Sequence, residues 1–233
     1  MKVKTTLHVS ESFHSIQGEG LTTGTPAIFL RLSGCNLLCQ GRGWRCDTIE
    51  VWRKGVRIPF KDVLPREHIK YLKRGAHLVI TGGEPLLHQV ALQDYLVWFL
   101  AAYNFLPFVE IETNGTLEPS SFMMHRVNLW NCSPKLANSG EDLHKRFNLK
   151  AIKKINELNS IFKFVICNSR DINEIRSRWL GSIDRERVYL MPAGSTREEL
   201  KKTQELTVDL VKKFYLKYSD RIHIGVYDKK TGV

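Results

Sequence analysis

Three cysteines stand within twelve residues, as Cys35-x3-Cys39-x6-Cys46 in the stretch GCNLLCQGRGWRCDT. Thiolates bind soft metals, and the polar, glycine-rich setting is a poor one for buried structural thiols, so this crowding points to metal or redox chemistry. Structural zinc takes four ligands, commonly from CxxC pairs. No fourth cysteine or suitably spaced histidine lies nearby in the chain, although His14 and His77 are candidates to approach in three dimensions. Three thiolates on a flexible loop also suit an iron–sulfur cluster with one iron left open to another ligand. On spacing alone, cluster, zinc and no metal all stay open.

Other polar signatures are TGGEP (81–85), ETNG (112–115), SPK (133–135) and MPAG (191–194). Glycines in TGGEP permit close backbone approach or positive φ, and Glu84 offers a carboxylate to an ammonium. The segment matches neither GxGxxG nor GxxxxGK[ST], so nucleotide phosphates are not its evident target.

The elements that must position these residues alternate. PAIFLRLSG, AHLVITGG, LPFVEIETNG, VNLWNCSPK, IFKFVICN and RVYLMPAG read as strands, and RIHIGVYD reads as a closing strand. Between them DVLPREHIKYLKR, HQVALQDYLVWFLAAYNF, RFNLKAIKKINELNS, DINEIRSRWL and TREELKKTQELTVDLVKKFYLKYS carry helical spacing. Such alternation predicts an α/β fold with an open parallel sheet whose apolar strands are covered on both faces. The polar signatures all follow predicted strands, at the edge where parallel α/β proteins collect ligands, which implies one composite site. Too few units are present for a closed eight-stranded barrel, so a partial barrel or open curved sheet is expected. No linker or internal repeat divides residues 1–233, and a single domain is expected.

Composition bounds the function. A hydrophobic fraction of 42% supports a folded chain, and no apolar run suggests a signal peptide or a membrane span. A cytoplasmic protein without membrane association is expected. Five cysteines, with Cys132 and Cys167 alone inside apolar runs, make a poor disulfide framework and fit a reducing compartment. The net charge of +11 invites nucleic acid or an anionic substrate. The lysines and arginines sit on amphipathic helices, however, without a basic stripe interleaved with aromatics, so solvated helix surface accounts for most of the charge.

Taken together, ESFHSIQGEG, PAIFLRLSGCNLLC, CDT, TGGEPLL, ETNGT and CSPK resemble the radical S-adenosylmethionine superfamily and, within it, the 7-carboxy-7-deazaguanine synthase (QueE-type) family. These segments cover roughly residues 9–135 in the family's order. The resemblance implies a partial (β/α)6-type barrel, leaving room for reduced peripheral helices. It also implies a [4Fe–4S] cluster, S-adenosylmethionine and Mg2+. The implied reaction is reductive cleavage of the cofactor, hydrogen abstraction from 6-carboxy-5,6,7,8-tetrahydropterin, and ring contraction with loss of ammonia, a carbon–nitrogen lyase chemistry.

By the same resemblance, Cys35, Cys39 and Cys46 hold the cluster. Gly82, Gly83 and Glu84 receive the methionyl amine, while Thr113, Asn114, Ser133 and Lys135 line the rest of the cofactor site. Gln17, Glu19 and Arg31 contact the pterin, His223 is a further candidate there, and Thr48 contacts magnesium. A flavodoxin- or ferredoxin-type reductant and a homodimer are implied, with no direct nucleic acid partner.

One departure is plain. The superfamily's loop is CxxxCxxC, whereas four extra residues separate Cys39 from Cys46 here, with Gly41 and Gly43 accommodating a bulge. Trp44 is thereby offset by one place from the family's aromatic. Rival expectations are another radical S-adenosylmethionine enzyme, or a zinc-loop α/β protein that binds nucleic acid.

Overall fold

The structure is a computed structural model that describes residues 4–41, 44–230 and 232. Its strands are β1 (Thr6–Ile16), β2 (Pro26–Leu32), β3 (Val56–Pro59), β4 (His77–Gly82), β5 (Val109–Thr113), β6 (Leu129–Cys132), β7 (Ser160–Ile166), β8 (Val188–Pro192) and β9 (Lys217–Tyr218). They form one sheet in the order β3-β1-β2-β4-β5-β6-β7-β8-β9. From β2 through β9 every neighbouring pair is parallel, whereas β1 runs antiparallel to β2 and β3.

The sheet is therefore mixed, which corrects the expectation of a purely parallel one. Only residues 17–25 separate β1 from β2, fewer than the dozen or so that a parallel crossover requires. Longer crossovers between parallel strands carry the helices Arg66–Lys73, Gln89–Tyr103, Ser121–Arg126, Leu149–Asn156 and Arg197–Phe214. The last opens on Thr196, whose hydroxyl accepts from Glu199 N (3.1 Å), and closes at Tyr215 in the left-handed region. Exposed Lys150, Lys153, Lys201, Lys202, Lys212 and Lys213 lie on such helices, as the charge pattern predicts. No helix among the described residues is long and apolar enough to cross a membrane.

The two faces of the sheet differ. Ile28, Leu30, Leu78, Ile80, Ile111, Phe162, Phe164 and Leu190 join one apolar core under the helices. Strand residues alternate in direction, so their neighbours Arg31, Thr81, Glu112, Asn131, Lys163 and Met191 point the other way and line a cavity of about 850 Å³. The strands are thus not buried by apolar packing on both faces; polar residues embedded in the apolar runs mark the open face.

A bulge explains β1. Val9 pairs with Leu32 on the core face, but the register shifts before Glu11, so Glu11 and Phe13 pair with Arg31 and Phe29 on the cavity face. One extra residue reverses which side a strand presents, and no single period-two pattern spans the segment.

RIHIGVYD is not a strand; Ile222–Tyr227 is a short helix. The edge beside β8 is already taken by β9. Arg221 is drawn away from that edge toward Glu19 and Asp47, at 2.9 and 2.7 Å.

Candidate active site

Because β2, β4, β5 and β6 are neighbours in that order, the segments after them meet at one edge. Gly83 N donates to Leu32 O (3.3 Å), Glu84 N to Gly34 O (2.9 Å), and Ser133 N to Thr113 O (2.7 Å). Gly82, with φ +150°, tolerates no side chain: a Cβ would lie 2.8 Å from Leu32 N. At Gly83 a Cβ would lie 2.7 Å from Cys35 Cβ and strike the Gly34 carbonyl. Glycine is thus needed where β4 passes under the cysteine loop.

Glu84 is fully buried. Its carboxylate accepts from Leu86 N (2.9 Å), Thr113 Oγ1 (2.8 Å) and Asn114 N (2.7 Å). Burial pushes its carboxyl up against those three donors. The side chain ties two loops together beneath the cavity, while Gly82, Gly83, Thr113 and Asn114 line it. Asn114 Nδ2 reaches Asn36 Oδ1 (3.0 Å) and lies 4.0 Å from Cys35 Sγ. Lys135 Nζ donates to Ser133 Oγ (3.0 Å).

Cys35, Cys39 and Cys46 all line the same cavity. Burial, chiefly, pushes the Cys35 thiol up to about 11, and Glu84 and Cys39 add to the effect. Burial likewise raises Cys39, with Cys46 contributing. Cys46 N donates to Cys39 O (3.0 Å), and Cys46 Sγ lies 3.4 Å from Thr48 Oγ1.

Between Cys39 and Cys46, Gln40 and Arg45 pair as an isolated antiparallel bridge. Gly41 lies against Asn138, where a Cβ would come 2.7 Å from its carbonyl carbon; Gly43 falls outside the described residues. Trp44 Nε1 donates to Asn138 Oδ1 (3.0 Å), and Lys135 Nζ sits 5.7 Å from the Trp44 ring centre.

The histidines considered as zinc ligands are elsewhere. His14 is exposed and stacks on Tyr71, with ring centres 4.0 Å apart. His77 pairs with Glu110 at 2.5 Å, at the opposite end of β4 from the cysteine loop. Among the described residues no three His, Cys, Asp or Glu gather as ligands of a single metal ion. A cluster imposes no such convergence, since its thiolates bind separate irons.

The remaining wall is charged. Gln17 is buried, with Nε2 donating to Glu112 Oε1 (3.3 Å) and Glu110 Oε2 (3.4 Å). Glu19 accepts from Lys163 Nζ (2.8 Å) and Arg221 Nε (2.9 Å). Burial works to raise the Glu19 carboxyl, but Lys163, Arg221 and His223 outweigh it and hold it well below its ordinary 4.5. Arg31 Nε donates to Glu11 (2.8 Å), and the Arg31 side chain borders the cavity. His223 packs on Gly18, where a Cβ would meet its ring, and burial lowers its pKa, favouring neutral imidazole.

Sequence reasoning missed four members of this wall: Asp47, Glu112, Asn131 and Lys163. Lys163 is 2% exposed yet lies 2.8 Å from Glu19 and 3.9 Å from Glu112. The available signal was a lysine inside IFKFVI and an asparagine inside LWNC, each a polar residue in an otherwise apolar strand. Arg221 bridges Glu19 and Asp47, so the QGEG turn, the end of the cysteine loop and the C-terminal segment share one cation.

A model of a 4Fe-4S single cluster domain matches residues 16–105. The 7-carboxy-7-deazaguanine synthase of Pyrobaculum aerophilum is 32% identical, covering 97% of each chain. The chain belongs to the 7-carboxy-7-deazaguanine synthase family. The family's protein from Rhodopirellula baltica is 34% identical over 98% of this chain and 90% of its own. The crystal structure of QueE from Escherichia coli aligns with TM-score 0.65 and 26% identity, covering 92% of this chain and 93% of that one.

The residues present fit the cluster of a 7-carboxy-7-deazaguanine synthase. Three soft donors border one cavity on a single loop, and the Gly83 cradle fixes the first of them against β4.

Proposed function

We propose that this chain catalyses the radical S-adenosylmethionine-dependent conversion of 6-carboxy-5,6,7,8-tetrahydropterin to 7-carboxy-7-deazaguanine with loss of ammonia. The observation that carries the reading is a single cavity lined both by Cys35, Cys39 and Cys46 and by Gln17, Glu19, Arg31 and His223. We read β2 and β4 to β8 as the (β/α)6-type partial barrel of one radical S-adenosylmethionine domain spanning residues 1–233.

In this reading Cys35, Cys39 and Cys46 hold the [4Fe–4S] cluster. Bound together, cluster and S-adenosylmethionine supply the reductive cleavage that starts the radical chemistry. The Gly82–Glu84 segment receives the methionyl ammonium through its backbone, with the Glu84 carboxylate holding Thr113 and Asn114 in place. Ser133 and Lys135 offer a hydroxyl and an ammonium to the ribose or carboxylate. The Arg31 guanidinium binds the pterin carboxylate. Gln17, Glu19 and His223 orient the pterin's ring. Thr48 Oγ1 would offer Mg2+ an oxygen ligand, the donor type a hard cation prefers.

A flavodoxin- or ferredoxin-type reductant, a homodimer and a cytoplasmic location complete the proposal. The test is anaerobic reconstitution followed by assay with the pterin, S-adenosylmethionine and a reductant. Formation of 7-carboxy-7-deazaguanine is expected. Cofactor cleavage without that product would point to another radical enzyme, and a colourless zinc protein would refute the reading altogether.

A further inference from the structure

The lengthened cysteine loop rests on a second segment of the chain, residues 137–141, which follow SPK. Gly41 meets that segment backbone to backbone: a Cβ there would lie 2.7 Å from Asn138 C and 2.9 Å from Ser139 C. From the other side, a Cβ on Gly140, at φ +79°, would lie 3.0 Å from Gln40 O. Leu38 N donates to the Glu141 carboxylate.

Asn138 makes the central side-chain contact. Its Nδ2 donates to Val165 O (2.9 Å) and Asp171 Oδ2 (2.9 Å), and its Oδ1 accepts from Trp44 Nε1 (3.0 Å). A backbone carbonyl only accepts and an indole N–H only donates, so both ends of the amide are assigned by partners that do not titrate. Val165 belongs to β7, and just beyond that strand Asp171 also accepts from Cys167 N (2.7 Å) and Asn168 N (3.0 Å). One amide thus ties Trp44 to the sheet.

The consequence lies on the cavity side. Trp44 lines the cavity, and Lys135 Nζ stands 5.7 Å from its ring centre, within the range of about 6 Å for a cation over an aromatic face. Two residues further on, Cys46 N donates to Cys39 O (3.0 Å). Ordering each added loop residue costs backbone entropy, and the contacts with 137–141 offset that cost where the loop carries its second and third cysteines.

Resting on the cluster and cofactor reading above, we propose that Asn138 is a positioning residue for S-adenosylmethionine binding. It docks the lengthened loop on β7, and so sets Trp44 against Lys135 and holds Cys46 beside Cys39.

The test compares wild type, Asn138→Ala, Trp44→Phe and the double variant. Trp44→Phe keeps a ring and removes only the N–H, so it carries the test if Asn138→Ala folds poorly. In the metal-free proteins, trypsin cleavage after Arg45, mapped by mass spectrometry, should be roughly 2- to 10-fold faster in each single variant, the range that one net hydrogen bond supports. In the reconstituted enzymes, KM for S-adenosylmethionine should rise by a similar factor while KM for the pterin stays within twofold. Because both residues act through one hydrogen bond, the double variant should match Asn138→Ala alone. Wild-type cleavage and cofactor KM in Trp44→Phe would overturn the inference, as would effects of the two substitutions that simply multiply. A general loosening of the fold would move both KM values together, and that result would also overturn it. If the wild type loads no iron, the proposed function fails, whereas the cleavage rates of the metal-free proteins still decide whether Asn138 docks the loop.

Discussion

Replacing Gly83 by alanine perturbs the site by an amount that can be worked from geometry. The new Cβ would sit 2.7 Å from Cys35 Cβ and closer still to the Gly34 carbonyl oxygen. Carbon atoms settle at about 3.5 Å or more, so Cys35 and β4 must separate by roughly 0.8 Å. Neither side yields easily. Glu84 N holds the Gly34 carbonyl (2.9 Å), and Gly34 N is itself anchored on Trp52 O (3.0 Å).

Overpacking of this kind costs about 1–3 kcal/mol, equivalent for a chain of this length to a Tm lower by roughly 2–12 °C. More telling is the displaced ligand, since Cys35 moves relative to Cys39 and Cys46. The assay compares thermal unfolding of the metal-free protein with iron content and visible absorption after anaerobic reconstitution. Gly181→Ala is the control, because a Cβ there meets nothing within 4 Å. Gly83→Ala should lower both Tm and iron loading, and Gly181→Ala neither. Wild-type loading with unchanged Tm in Gly83→Ala would refute the argument that glycine is needed for strand–loop contact.

Three further outcomes follow from the charged wall. Glu19→Gln leaves Lys163 buried beside only the distant Glu112 and should cost about 3 kcal/mol or more in urea unfolding, whereas adding Lys163→Met should recover part of that loss, because the unpaired charge is what hurts. Glu19 is held below its ordinary 4.5, so its stabilisation is complete above that value and is lost as pH falls below it; Glu19→Gln should flatten the acid limb of the stability curve, and an unchanged limb would count against the pairing. Arg221→Lys keeps the charge but cannot span Glu19 and Asp47 with a planar fork; KM for the pterin should rise several-fold, and wild-type kinetics would show that the bridge has no bearing on the site.

The parts of this molecule that were legible in its sequence share a physical cause. β2 and β4 to β8 read plainly because one face of each carries an apolar run, and GGEP, ETNG and SPK fell at strand ends because parallel topology puts ligand loops there. β1 escaped because its bulge divides Thr6–Ile16 into two halves with opposite faces. The closing helix escaped because Ile222, Ile224 and Val226 alternate as a strand would, while the contacts that fold it, from Arg197 to Gly225 O (2.8 Å) and from Arg221 to Glu19, come from distant segments. Lys163 and Asn131 look anomalous in an apolar strand until one face of the sheet is known to be open. The charges of Glu19 and Asp47, which Lys163 and Arg221 balance, come from residues more than a hundred positions away, a relation that no local pattern carries.

The central claim is that cluster loop and pterin wall serve one cavity, so that the two ligands react with each other. Placing deuterium on the pterin carbon that loses hydrogen tests it directly. In anaerobic turnover by the reconstituted enzyme, the account predicts deuterium in the 5′-deoxyadenosyl group of the recovered cofactor alongside 7-carboxy-7-deazaguanine. Product formed while the cofactor pool stays unlabelled would contradict it.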